Sequence, residues 1–270
     1  GAALTAHPGL DFVSFTGSSV VGTLVQTASA QFHRPCVLEL GGKSPQIIFS
    51  DADFDAALPV VVAGIVQNGG QTCSAGSRVL VQRDIYDDFI GQLGARISNL
   101  RVGSHQQDLN CGPLISAKQR ALVQGFVAQA EKDGLPRIAQ ATLDTGAPVD
   151  GFYVQPALYG PVPEGNPLAQ KEVFGPILAA IPFEDEADAI RIANGTDFGL
   201  IAGVWTADGK RQMRVAKALR CGQVFVNNYG AGGGVELPFG GVKHSGHGRE
   251  KGFSALHEFT VTKTIVFKHD

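Results

Sequence analysis

Two side chains stand where they could do chemistry. Cys73 lies in NGGQTCSAGSR (Asn68–Arg78), with glycines before it and Ser74, Ala75 and Gly76 after it. A packing cysteine normally has apolar neighbours; small neighbours leave a path to the sulfur. A thiolate there could attack a carbonyl carbon, with the Cys73 backbone N–H holding part of the oxyanion charge. A helix starting beside it would favour the thiolate. The alternative is a structural thiol in a glycine-rich turn. Glu39 closes an apolar run in LELGGKSP (Leu38–Pro45), before two glycines. In a pocket its pKa would rise toward neutrality, as a general base requires. The alternative is a solvent-facing loop glutamate.

Three further stretches could bind a ligand. In FTGSSVVG (Phe15–Gly22) a strand ends at Phe15, Gly17 turns the chain, and a helix begins near Ser18. The Ser18 N–H and hydroxyl could hold a phosphate at the positive end of that helix; otherwise this is a serine-capped turn. The spacing is not G-x-G-x-x-G. In KEVFGP (Lys171–Pro176), Glu172 and Phe174 share a face if the chain is extended. Glu172 could then accept from ribose hydroxyls while Phe174 lies against a flat ring; a helix-terminal acid and a core aromatic are the alternative. PFGGVKHSGHGRE (Pro238–Glu250) follows NNYGAGGG (Asn227–Gly234), and two such glycine-dense loops suggest a binding mouth without naming its ligand.

These residues need a frame. Short β-rich runs at Val37–Leu40, Pro45–Phe49, Ser77–Gln82, Ile177–Phe183, Leu200–Thr206 and Gly222–Asn228 predict strands. Helical patterns fall at Asp53–Gln67, Tyr86–Leu100, Ser116–Lys132, Glu186–Ala193 and Asp208–Arg220, the last with Asp208 as N-cap. Leu122, Phe126 and Ala130 should share one face of the third helix. This alternation predicts an α/β fold with a mostly parallel, buried sheet flanked by helices. The tail TVTKTIVFKHD (Thr260–Asp270) is β-patterned with no hairpin partner nearby, which suits pairing with another sheet, such as that of a second subunit.

The bulk properties narrow the class. The chain has 270 residues and a net charge of −3, which gives no electrostatic case for nucleic acid or an anionic membrane. No apolar run approaches the ~18 residues of a membrane span, and the N-terminus lacks a signal-peptide pattern. Cys36, Cys73, Cys111 and Cys221 form neither a C-x-x-C pair nor a zinc pattern, so reduced thiols in a cytoplasmic protein are expected. His244 and His247 read as a solvated loop, and no metal site is expected.

Taken together and in order, FTGS, LELGGKSP, GQTCSAGSR, EVFGP and PFGGVKHSGHGRE resemble the landmarks of the NAD(P)-dependent aldehyde dehydrogenases. The resemblance covers essentially the whole chain. It implies that residues 1–40 are the last part of a Rossmann-like cofactor domain, 41–256 a catalytic domain, and 257–270 an oligomerisation strand. It implies an aldehyde substrate, NAD or NADP as cofactor, and a homo-oligomer. Cys73 would add to the aldehyde to give a thiohemiacetal, which loses hydride to leave a thioester; Glu39 would activate the water that hydrolyses it. Gly17 and Ser18 would lie near the cofactor pyrophosphate, Glu172 at the nicotinamide ribose and Phe174 near the nicotinamide.

The resemblance is to about the C-terminal half of a family member. A Trp-Asn motif that completes the family's oxyanion hole does not occur, Trp205 being the only tryptophan, and a glutamate some relatives carry is Val261. Three functions follow: a truncated dehydrogenase that is inactive or nearly so alone, a non-catalytic relative that binds partners, and a cysteine esterase using the same acyl chemistry without cofactor.

Overall fold

The computed structural model describes residues 1–230 and 234–270. Twelve strands run in chain order: β1 Val13–Thr16, β2 Cys36–Glu39, β3 Pro45–Ile48, β4 Arg78–Gln82, β5 Arg101–Val102, β6 Arg137–Gln140, β7 Thr142–Leu143, β8 Ala157–Tyr159, β9 Ile177–Phe183, β10 Ile201–Trp205, β11 Gln223–Val226 and β12 Gly246–His247. The helices are α1 Ala2–Thr5, α2 Ser19–Ala30, α3 Phe54–Val66, α4 Tyr86–Ser98, α5 Ala117–Lys132, α6 Pro167–Gln170, α7 Glu186–Asn194, α8 Gly209–Ala218 and α9 Gly252–Glu258.

The main sheet has seven strands in the order β11-β10-β3-β4-β9-β8-β6, parallel except for the antiparallel β6–β8 edge. This is the expected α/β architecture. Its central strands are buried on both faces, which explains why β9 reads ILAAIPF with no alternation. One apolar cluster packs Ile47, Leu80 and Ile181 against α7 and α8; the other packs Ile48, Val79 and Val81 against α3 and α4. Asp53, Ser116, Asp185 and Asp208 cap their helices by accepting a backbone N–H. On α5 the buried residues are Val123 and Ala130, while Leu122 is exposed. The inward face is therefore turned by about one position from the four-residue spacing, because Val123 enters the cluster beneath the sheet.

A second, three-stranded sheet has the order β1-β2-β12. β1 and β2 are parallel; β12 returns from near the C-terminus to pair antiparallel with β2, Gly246 opposite Glu39. The boundary expected after residue 40 thus separates two sheets, but the smaller one takes its third strand from the far end of the 41–256 segment. Residues 261–270 are exposed and form no strand within this chain. No described helix is long and apolar enough to cross a membrane, and no three potential metal ligands cluster among the described residues. Of the glycine-dense stretch 227–234, residues 231–233 lie outside the described residues.

Candidate active site

Glu39 is the last residue of β2, and this position controls it. Its backbone carbonyl accepts from Gly17 N–H at 3.0 Å, which joins the β1–α2 turn to the strand end. Its side chain is 2 % exposed, and neither carboxylate oxygen has a hydrogen-bond partner. Burial, reinforced by the Glu250 carboxylate and opposed by Arg249, pushes its pKa up to about 8. A chain segment over the strand end causes the burial. Ser245 donates to the Gly41 carbonyl at 2.6 Å and accepts from Gly199 N–H at 3.0 Å, while its own carbonyl accepts from Leu40 N–H at 3.1 Å. Gly240 then lies so near that a methyl group on it would be 2.7 Å from Glu39 Oε1.

Cys73 sits in the loop from the end of α3 to β4. No helix begins there: residues Gln67–Gly70 form a short 3₁₀ turn, with Asn68 and Gly69 at positive φ, and an irregular loop follows. No helix dipole therefore favours the thiolate. The thiol pKa is raised by burial first, then by the Glu172 and Glu39 carboxylates; the backbone N–H groups of Ser74 and Cys73 oppose this. The loop is fixed at its ends. Ala75 N–H donates to Thr72 at 3.0 Å and Gly76 N–H to Gly64 at 2.9 Å. Arg78, 2 % exposed, donates to the carbonyls of Lys43, Ile192 and Ala193 at 2.9, 2.9 and 2.8 Å. One guanidinium thereby ties β4 to the GGK turn and to the carbonyl-rich end of α7.

Glu172 completes the cluster. Its Oε1 accepts from Gly42 N–H at 3.0 Å, and burial raises its pKa against that bond and the Lys43 charge. Lys43 lies behind it, 1 % exposed, with its Nζ unpartnered; burial first, then Arg78, pushes its pKa down to about 7. Two residues on, Phe174 is 36 % exposed and has φ 53°. Gln119 Nε2 donates to the carbonyls of Val173 and Phe174 at 3.3 and 2.9 Å, holding this segment from α5. Gly17 and Ser18 are exposed at the start of α2, where Ser18 caps the helix and no acid stands in its first turn.

A cavity of about 760 Å³ adjoins the Cys73 loop, with Gln67, Asn68, Gln71, Thr72, Ser74 and Tyr229 among its lining. None of its lining side chains is charged.

The aldehyde dehydrogenase family model matches residues 1–265. The chain belongs to the aldehyde dehydrogenase family. An aldehyde dehydrogenase from Emericella nidulans is 41 % identical over 99 % of this chain and 54 % of its own length. A betaine aldehyde dehydrogenase from Sinorhizobium fredii is 38 % identical over 98 % and 54 %. A Burkholderia cenocepacia crystal structure assigned to the same enzymes superposes with TM-score 0.98 at 60 % identity, covering all of this chain and 56 % of that one. The NAD⁺ complex of a Bacillus cereus aldehyde dehydrogenase superposes with TM-score 0.91 at 38 % identity, covering 96 % and 52 %. The chain spans about half the length of the relatives it matches.

Within this aldehyde dehydrogenase chain, Cys73, Glu39 and Glu172 come together around the GGK turn, and Gly17 reaches the same turn through its bond to Glu39. Ser18 and Phe174 lie at the exposed edges. Sequence reasoning did not single out Glu250, Lys43, Gln119 or Tyr229. Glu250 could have been suspected as the acid ending the second glycine-dense loop; the other three carry no local signal.

Proposed function

We propose that this chain carries the catalytic residues of an NAD- or NADP-dependent oxidation of an aldehyde to a carboxylic acid, with Cys73 as nucleophile and Glu39 as general base. The observation that carries this reading is the pairing of a half-buried thiol with a buried, unpartnered carboxylate whose pKa is about 8. The Cys73 sulfur bonds to the aldehyde carbon, the carbonyl π bond opens onto oxygen, and the thiol proton passes to that oxygen, giving a thiohemiacetal. The Cys73 N–H would hold part of the charge on the developing alkoxide. The carbon would give its hydride to a bound dinucleotide while the hydroxyl proton goes to solvent, which would leave a thioester on Cys73. Ionised Glu39 then takes a proton from water, whose oxygen attacks the thioester; the acid departs and the thiol is restored. Burial keeps competing solvent from Glu39, and the raised pKa makes it a stronger base than an exposed glutamate.

The residues present fit the dinucleotide at two points. The acid-free start of α2 at Gly17 and Ser18 suits a pyrophosphate. Glu172 and the exposed Phe174 suit a ribose and a flat ring. Bound there, the cofactor supplies the hydride acceptor. The uncharged cavity lining favours a neutral aldehyde, which meets amides and hydroxyls rather than an ionic partner. Four free cysteines accord with a reducing, cytoplasmic setting, and the exposed apolar tail with a homo-oligomer.

A second reading rests on the location of the acyl chemistry: Cys73 and Glu39 both belong to this chain, so ester hydrolysis requires no cofactor. Two assays separate the readings. Release of p-nitrophenol from p-nitrophenyl acetate, lost on Cys73→Ala, tests the thiol. Aldehyde-dependent formation of NADH or NADPH, lost on the same substitution, tests the oxidation. A Cys73→Ala protein with undiminished activity in both would sink the proposal.

A further inference from the structure

We infer that Tyr229 is a positioning residue for the nucleophile loop: its phenol, seated in a slot of three glycines, holds the Ser74 carbonyl, one residue after Cys73. The Tyr229 hydroxyl donates to the Ser74 carbonyl at 2.8 Å. Its ring reaches that bond through a gap built from three separate elements. A methyl group on Gly64 in α3 would lie 3.2 Å from Tyr229 Cδ1, one on Gly76 in the nucleophile loop 3.2 Å from Cε1, and one on Gly203 in β10 2.9 Å from Cδ2. Tyr229 and Cys73 pack against the same apolar group of Leu200, Ile201 and Phe239. The same ring lines the cavity beside the nucleophile loop.

The consequence for the thiol is direct. The Ser74 and Cys73 N–H groups are the donors that offset the burial and carboxylate repulsion felt by the sulfur. Other bonds restrain this loop at Thr72–Ala75 and Gly64–Gly76. Between them only Tyr229 holds the Ser74 carbonyl among the described residues. Without the phenol, residue 74 could rotate, and its N–H would no longer be fixed toward Sγ. Tyr229 touches no reacting atom; it acts through Ser74.

This inference rests on reading Cys73 as the nucleophile, and the test separates the two. The whole chain is alkylated with iodoacetamide from about pH 6 to about pH 10, where thiolate fraction sets the rate, and each cysteine is followed by peptide mass spectrometry. In the wild type, Cys73 should react faster than Cys36, Cys111 and Cys221; if it does not, the nucleophile reading fails and takes this inference with it. Tyr229→Phe should slow Cys73 about five-fold near pH 8, the scale of one lost hydrogen bond, and move its pH profile upward while the other cysteines are unchanged. A lowered Tm with an unmoved Cys73 profile would mean a merely structural role and overturn the inference. Gly203→Ala, which displaces the ring without removing the hydroxyl, should move the profile the same way. It decides the matter if Tyr229→Phe does not fold, an unmoved profile again overturning the inference.

Discussion

A methyl group added to Gly42 would sit 2.3 Å from the carbonyl oxygen of Cys73. The turn after the proposed base and the loop of the proposed nucleophile therefore touch backbone to backbone. The same Gly42 donates its N–H to Glu172. Gly42→Ala should push the nucleophile loop away and weaken that bond. Overpacking of this kind costs about 1–3 kcal/mol. We expect a lower Tm and at least a ~10-fold slower alkylation of Cys73. Unchanged alkylation in a folded variant would show that the contact does not set the loop.

Glu39→Gln should separate acylation from deacylation. With p-nitrophenyl acetate, an initial burst should remain while steady turnover falls by ~10²-fold or more. Wild-type turnover should rise as pH passes through about 8. Steady turnover equal to wild type would remove Glu39 from the base role.

The same residue makes stability depend on pH. The folded-state pKa of about 8 exceeds the ordinary value of 4.5. Its contribution is therefore fully present below about pH 4.5 and is lost as pH rises through 8, because the unfolded chain ionises first. Glu39→Gln should gain Tm relative to wild type across that window, with an upper bound of about 5 kcal/mol. Parallel Tm–pH curves for the two proteins would contradict this.

Lys43 should act in the opposite direction. Its folded-state pKa is depressed to about 7 from 10.5, so its contribution is present above about pH 10.5 and is lost as pH falls through 7. Lys43→Met keeps most of the volume and removes the unpaired ammonium. It should raise Tm more at pH 6 than at pH 10, as thermal melts at the two values would reveal. An equal change at both would exclude the charge as the cause.

Deleting residues 261–270 removes the exposed Val261, Ile265, Val266 and Phe267, which touch no core cluster. The shortened chain should keep its Tm and lose self-association, read by sedimentation equilibrium. A wild-type monomer, or a shortened chain that still associates, would rule out the tail as the contact.

Much of this molecule was legible from local pattern. β9 matches its expected bounds, and the five expected helices and the other five strands expected between Val37 and Asn228 lie within two residues of theirs, because buried parallel strands and capped helices carry their signals in adjacent residues. The edge strand β6, RIAQ, was invisible: it is short and two of its four residues are exposed. Cys73 and Glu39 could be proposed because glycines mark both loops. Their environment could not. Burial raises Glu39 most, and Glu250, the acid that adds to it, accepts from the Ser14 hydroxyl across 236 positions of sequence. Lys43 carries no pattern, since its meaning comes from Arg78 and Glu172, which reach it only in the fold. A helix starting beside Cys73 would have favoured the thiolate, but the glycines there give an irregular loop. Trp205, the only tryptophan, is 1 % exposed and donates to Gln46, so calorimetry is a better probe of cofactor binding than fluorescence.

The short β12 pairing has a temporal consequence. A chain emerging from the ribosome makes Cys73 and its loop well before Gly246 can lie down on Glu39. Until that strand docks, residue 39 is an ordinary acid open to water. On the proposed roles, a nascent chain stalled in that interval would have the thiol and lack the tuned base for hydrolysing an acyl group on it. On the proposed mechanism, completion of that pairing therefore marks the moment at which an acyl group on Cys73 would meet the base that hydrolyses it.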